Sequence, residues 1–240
     1  MPYRLFLPEP PVGELFSLPE DEAHHLLRVL RLPEGTLVEA LDGCGRIYYG
    51  TLTDVTKRGA ALRLQRVEAR PAPTPALHLL VAPPKNLDRL EWLLEKATEL
   101  GLARFTPILT QRTERRELKL DRLRKITVSA LKQSGGAWLP ALDELTPLAT
   151  ALAAADSAQK FVAHLTTDPA ERRALPRALA LAGGAESVAV LIGPEGDFTP
   201  EEVALARAAG FQPVTLGESV LRTETAALLA CCAVRLVTIS

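Results

Sequence analysis

From residue 77 onward the chain alternates short, continuous apolar runs with stretches of helical period, and this alternation constrains its fold more than any other feature. Residues 77–82, 105–109, 160–164, 187–192 and 212–216 read as strands. Residues 88–100, 120–132, 200–209 and 223–236 read as helices, as does the alanine-rich stretch 149–155. Strands that are apolar throughout, and not merely on alternate residues, must be buried on both faces. The expectation is an α/β domain with a mostly parallel sheet covered by helices on each side. Local signals agree: residues 88–100 place Leu90, Leu93, Leu94, Ala97 and Leu100 on one face and run into Gly101, a residue suited to end a helix. The helix over 120–132 is expected to stop before Ser134-Gly135-Gly136.

The first seventy residues have a different texture. Residues 37–41 and 47–52 are β-prone runs separated by Asp42-Gly43-Cys44-Gly45, and residues 60–67 alternate apolar and polar side chains. One helix is expected over 21–30, with Leu26, Leu27 and Leu30 as its apolar stripe. Short strands with one helix predict a small barrel. Between the two textures stands Arg70-Pro71-Ala72-Pro73-Thr74-Pro75, whose prolines favour an extended linker. The predicted domains are therefore 1–72 and 73–240.

Composition excludes several function classes. No apolar run reaches the roughly 20 residues that span a bilayer, and the N-terminal residues lack a basic segment leading into a long apolar stretch, so neither membrane insertion nor a signal peptide is expected. Cys44, Cys231 and Cys232 include no CxxC pair, which argues against a disulfide framework or a zinc site, and a cytoplasmic location is the default expectation. The formal net charge of −1 is unevenly spread: residues 85–132 carry twelve basic and seven acidic side chains, whereas residues 133–240 carry seven and twelve. Arg112, Arg115, Arg116, Lys119, Arg122, Arg124 and Lys125 crowd into one stretch, a patch able to hold phosphates whatever the overall charge, although Glu114, Glu117 and Asp121 also fit an ordinary solvated helix face. His24, His25, His78 and His164 show no catalytic spacing and read as structural or ligand-contacting.

Two strand–loop–helix segments carry the candidate chemistry. In residues 188–202 an apolar strand enters a turn containing Gly193 and Gly196, and a helix follows with Thr199 as N-cap, Pro200 at its first position and Glu202 completing a capping box. In residues 214–227 a strand enters a loop containing Gly217, Arg222 precedes the next helix, and Thr223 is placed to cap it. Ligands in open α/β sheets bind at the carboxyl ends of strands, so the two loops point to one shared site. Other nucleotide and metal signatures are absent: there is no GxxxxGK[ST], no complete GxGxxG, no HExxH and no GxSxG.

The stretches LIGPEGDFTPEE (191–202) and LGESVLRTETAAL (216–228) resemble the C-terminal motifs of the RsmE family, uracil-N3 methyltransferases of small-subunit (16S) ribosomal RNA within the SPOUT superfamily. Supporting similarities are His24-His25 with Arg28-Val29-Leu30-Arg31, residues 91–101, Gln111-Arg112, Gln133-Ser134-Gly135 and Pro140. The chain departs from the family pattern at Gln111, Lys132, Gly136 and Asp197, the last standing where the family commonly has glycine.

The resemblance implies a PUA-like N-terminal β-barrel that binds RNA, a C-terminal α/β domain with a trefoil knot, and a homodimer. It implies S-adenosylmethionine held by Leu165, by Ile192, Gly193, Pro194 and Gly196, and by Leu216, Gly217, Val220 and Leu221, with no metal. It implies a uridine of the small ribosomal subunit as substrate. In that setting Arg222 is the candidate to stabilise charge on the uracil ring, and either Glu195 or Glu224 to accept the N3 proton or orient the base. Arg28, Arg31, Arg112, Arg115 and Arg116 would hold flanking phosphates. The competing readings are a SPOUT ribose 2′-O-methyltransferase and a non-catalytic ribosome assembly factor.

Overall fold

The computed structural model describes residues 3–56, 59–166, 168, 173–181 and 183–239. They fall into two units: one of Met1–Ala72 with Val128–Leu139, the other of Pro73–Thr127 with Pro140–Ser240.

In the first unit, β1 (Tyr3–Phe6), β2 (Leu15–Ser17), β3 (Leu37–Leu41), β4 (Arg46–Thr53) and β5 (Ala61–Ala69) form one sheet in the order β1-β3-β4-β5-β2. The pair β1–β3 is parallel and the others antiparallel. The turn between β3 and β4 falls at Asp42–Gly45, as its residue types require: the Asp42 carboxylate, 5% exposed, accepts from the amides of Cys44 at 2.7 Å and Arg46 at 3.0 Å. Leu5, Leu26, Val38, Ala40, Leu52 and Leu62 fill the core. The helix expected over 21–30 is not uniform. It begins as α1 (Glu20–His24) and widens into a π turn over His25–Val29, ending where the Leu30 amide donates to the His25 carbonyl at 3.0 Å.

The sequence boundary after Ala72 misses one part of this unit. Residues 128–139, expected within the second domain, cluster with the first because Leu131 and Ala137 pack on Leu41 and Ile47. The Trp138 ring covers Gly45, whose φ of +97° and lack of a Cβ permit that approach, and Trp138 Nε1 donates to the Arg70 carbonyl at 2.9 Å.

The second unit is built on β6 (Ala76–Val81), β7 (Arg104–Leu109), β8 (Ala141–Leu142), β9 (Thr146–Pro147), β10 (Gln159–Ala163), β11 (Ser187–Ile192) and β12 (Gln212–Val214). Its sheet order is β12-β10-β11-β6-β7-β8, with β9 also on β7, and every pair is parallel. The helices are α2 (Leu87–Glu99), α3 (Leu120–Ser134), α4 (Leu148–Ala154), α5 (Leu175–Leu181), α6 (Pro200–Ala208) and α7 (Thr223–Ile239). Both faces of the sheet are buried, as the unbroken apolar strands require: Leu77, Leu79 and Val81 join Leu90, Phe105, Ala227 and Ala230, whereas Leu80 and Ala82 join Ile108, Leu152 and Phe211. Cys231 sits fully buried in α7, and burial pushes its thiol up to about 12, so it acts as a small apolar residue. Among the described residues no helix is long and apolar enough to cross a membrane.

Three details differ from the sequence reading. The helix α3 continues through Ser134, residues 113–119 are not helical, and the short elements β1, β2, β8, β9 and α5 were not foreseen. Strands of two to four residues carry too few positions for a period to register.

A candidate cofactor pocket at the strand ends

Because β10, β11 and β12 run parallel, Ala163 lies beside Ile192 on one side and Val214 on the other. The loops that follow therefore leave the sheet from one row, and together they wall a pocket of about 580 Å³, its open mouth included. Lining it are Ala163, His164 and Leu165 from the first loop and Ile192, Gly193, Pro194, Glu195 and Asp197 from the second. The third loop and the start of α7 add Val214, Thr215, Leu216, Gly217, Ser219, Val220, Leu221, Thr223 and Ala226.

Of the residues that the resemblance assigns to the cofactor, Leu165, Ile192, Gly193, Pro194, Leu216, Gly217, Val220 and Leu221 are in this lining. Gly196 is not. Its missing Cβ makes room for a different neighbour: a methylene of Arg112 lies 3.2 Å from where that atom would stand. The same arginine donates to the Gly196 carbonyl and, at 3.5 Å, to that of Asp197. Arg112, expected at the RNA, thus clamps the turn after β11. Arg115 is also engaged within the protein, donating to the Lys85 carbonyl at 2.7 Å.

Further bonds fix the same loops. Thr199 caps α6 in a full capping box, and Glu202 accepts from Thr199 at 3.0 Å while its other oxygen accepts from the Gln111 amide at 2.7 Å. The Thr223 side chain does not cap α7. Its hydroxyl donates to the Gly193 carbonyl at 3.1 Å, a buried bond between the two motif loops.

The candidate catalytic residues separate. Glu195 is exposed at the pocket wall and accepts from the Lys85 amide at 3.2 Å. Arg222 is exposed between the lining residues Leu221 and Thr223, and its guanidinium has no hydrogen bond or ion pair among the described residues. Glu224 is 7% exposed, outside the lining, and faces Arg89 of α2 at 3.7 Å. Arg28 and Arg31 are exposed on the first unit. In the basic stretch, Arg122 pairs with Glu91, whereas Arg116, Lys119 and Lys125 border a wide groove shared with Glu117, Asp121 and Glu144.

Residue-type reasoning missed Asp197, Thr215 and Thr223 as pocket residues, and Ser219 enters only within the loop 216–222 that the resemblance assigns to the cofactor. All four lie in the two motif loops, so strand-end position was the available signal. A separate buried cluster involves His78. Its Nε2 is 2.7 Å from the Thr106 hydroxyl, which itself donates to Asp143, leaving Nε2–H as the donor to Thr106. Asp143 also accepts from Arg104 at 2.8 and 3.2 Å. Burial pushes His78 down to about 4, and the Arg104 charge acts in the same direction.

Comparisons with known proteins agree with this architecture. Residues 70–235 match the family model "RNA methyltransferase domain" and residues 18–65 match "RNA methyltransferase PUA domain". A Synechocystis protein, ribosomal RNA small subunit methyltransferase E, is 34% identical over 239 residues, covering 96% of this chain and 76% of that protein. The structure of the Neisseria gonorrhoeae ribosomal RNA small subunit methyltransferase E bound to S-adenosyl methionine superposes with a TM-score of 0.87 at 30% identity, over 98% of each chain. A probable rRNA methyltransferase from Porphyromonas gingivalis gives 0.84 at 37% identity over 93% of each chain. With a family model matching residues 70–235 and a relative 34% identical over 96% of the chain, this chain belongs to the ribosomal RNA small subunit methyltransferase E (RsmE) family of RNA methyltransferases.

Proposed function

We propose that this protein is an S-adenosylmethionine-dependent methyltransferase acting on N3 of a specific uridine in 16S ribosomal RNA. The observation that carries the reading is the chemistry of the pocket at the ends of β10, β11 and β12. Its wall includes the exposed carboxylate of Glu195 and, among the described residues, no lysine or arginine, so it favours a ligand with positive charge. Two aliphatic side chains in the lining, Leu165 at 60% exposed and Val220 at 74%, leave apolar surface that a flat heteroaromatic ring would cover. S-adenosylmethionine fits these requirements and supplies an electrophilic methyl group on a cationic sulfur.

The chain's own residues then have distinct tasks. Arg222, between the lining residues Leu221 and Thr223 and with its guanidinium without a hydrogen bond or ion pair among the described residues, offsets the negative charge that spreads onto the uracil carbonyl oxygens as N3 loses its proton. Glu195 is the proton acceptor in preference to Glu224, because it stands on the pocket wall while Glu224 is buried against Arg89. Arg116, with the neighbouring Lys119 and Lys125, and Arg28 and Arg31 on the first unit, hold phosphates. Arg112 and Arg115 act on the loops instead.

The reading includes the trefoil knot that the family resemblance implies, and a homodimer in the cytoplasm. The deciding experiment is calorimetric titration with S-adenosylmethionine followed by nucleoside mass spectrometry of treated small subunits. The expected result is binding with appearance of 3-methyluridine. A 2′-O-methylated nucleoside would overturn the target atom, and no binding would leave a non-catalytic assembly factor.

A further inference from the structure

We propose that Asp197 is a positioning residue of the cofactor pocket, its carboxylate latching the loop after β10 to the turn after β11. The argument begins with a backbone conformation that the residue type does not favour. Asp197 has φ +60°, in the left-handed region where glycine is the default. The turn closes there because the Asp197 amide donates to the Pro194 carbonyl at 2.9 Å, and a glycine would make that bond with less strain.

What glycine lacks is the side chain. Asp197 Oδ2 accepts from the Leu165 amide at 2.8 Å, across 32 positions of sequence, and Oδ1 lies 3.4 Å from where a Cβ on Gly193 would stand. The bond is charge-assisted, hence stronger than an amide–carbonyl pair. Leu165 and Asp197 both line the pocket, on loops leaving adjacent strands. The Leu165 side chain is 60% exposed, so little apolar packing holds that loop. The turn that carries the carboxylate is itself held from another side, by Arg112 on the carbonyls of Gly196 and Asp197. A fixed turn presents a fixed acceptor, and the acceptor sets where the Leu165 loop stands against the pocket.

This inference rests on the reading of the pocket as the S-adenosylmethionine site, and the test separates the two. Asp197→Asn keeps an acceptor oxygen without the charge. Asp197→Gly removes the acceptor and relieves the backbone. The full-length variants are titrated with S-adenosylmethionine and with its uncharged product S-adenosylhomocysteine. Thermal unfolding and amide exchange at Leu165 are measured without ligand. The asparagine variant is expected to bind both ligands within about twofold of wild type, and the glycine variant to bind both about tenfold more weakly. The glycine variant is also expected to unfold at or above the wild-type midpoint, with Leu165 exchanging about tenfold faster, while the asparagine variant, which keeps a weaker neutral bond, exchanges at a rate between the two.

Wild-type affinity in Asp197→Gly would overturn the latch. So would an asparagine variant weakened for the cationic ligand alone, since the charge and not the bond would then be at work. A glycine variant that lost several degrees of midpoint along with its affinity would also overturn it, because the carboxylate would be holding the fold. If the wild type binds neither ligand the cofactor reading fails, and the exchange rates at Leu165 still decide whether the latch exists.

Discussion

At the scale of single residues, what a side chain does here follows from its partners more than from its type. Three arginines show it. Arg112 and Arg115 spend N–H groups on carbonyls of the loops, whereas the Arg222 guanidinium has no hydrogen bond or ion pair among the described residues and the residue stands between the lining residues Leu221 and Thr223. Under the proposed function, Arg222→Ala is expected to slow methyl transfer by about a hundredfold to a thousandfold. Its S-adenosylmethionine affinity should stay unchanged, as single-turnover kinetics and calorimetry would show. His78 gives a prediction about pH. Its imidazole titrates near 6.5 when unfolded and about 4 when folded, because it is buried and near the Arg104 charge. Between those values the unfolded chain binds more protons than the folded one, so the contribution is complete above 6.5 and shrinks as pH falls toward 4. The protein is expected to lose about 2 kcal/mol from this group between about pH 7.5 and about pH 5. Urea unfolding of wild type against His78→Gln, which keeps a donor for Thr106, measures it; equal losses in both proteins would refute the assignment.

At the scale of elements, helix ends and strand ends carry the site. The capping box of α6 was legible because its residues are adjacent in sequence, and Thr199 and Glu202 bond as that spacing requires. Thr199→Ala removes one half of the box and is expected to cost about 1 kcal/mol, seen as a fall of about 2–4 °C in unfolding midpoint for a chain of this size. An unchanged midpoint would mean that the two bonds Glu202 keeps, from the residue 199 and Gln111 amides, suffice to hold the helix start. Thr223 looks equally fit to cap α7 in the sequence, yet its hydroxyl bonds the Gly193 carbonyl thirty residues away. The two threonines are alike locally and differ only in what the fold places beside them. The π turn at His25–Val29 has the same origin: apolar spacing suggests one regular helix, and no local residue marks where the hydrogen-bond register widens.

At the scale of the whole molecule, the change of texture at residues 70–75 is real but does not by itself delimit a unit. Residues 128–139 complete the N-terminal unit, with Leu131 and Ala137 covering Leu41 and Ile47. A fragment ending at Ala72 would expose those two side chains to water, and it is expected to show no cooperative thermal transition by circular dichroism. A sharp transition in that fragment would show that the N-terminal sheet suffices alone. The sequence by itself determined the longer elements of the second unit, though not β8, β9 or α5, and the likeness to the RsmE family. Period, apolar run length and the two glycine-bearing motifs are local, and a local pattern survives without knowledge of its neighbours. The tertiary structure alone decided the rest: that Ala163, Ile192 and Val214 stand in one row, that Glu195 faces the pocket while Glu224 faces Arg89, and that Asp197 reaches Leu165. Those contacts join residues between 29 and 135 positions apart, and their geometry exists only once parallel strands have been paired and their loops brought to the same edge.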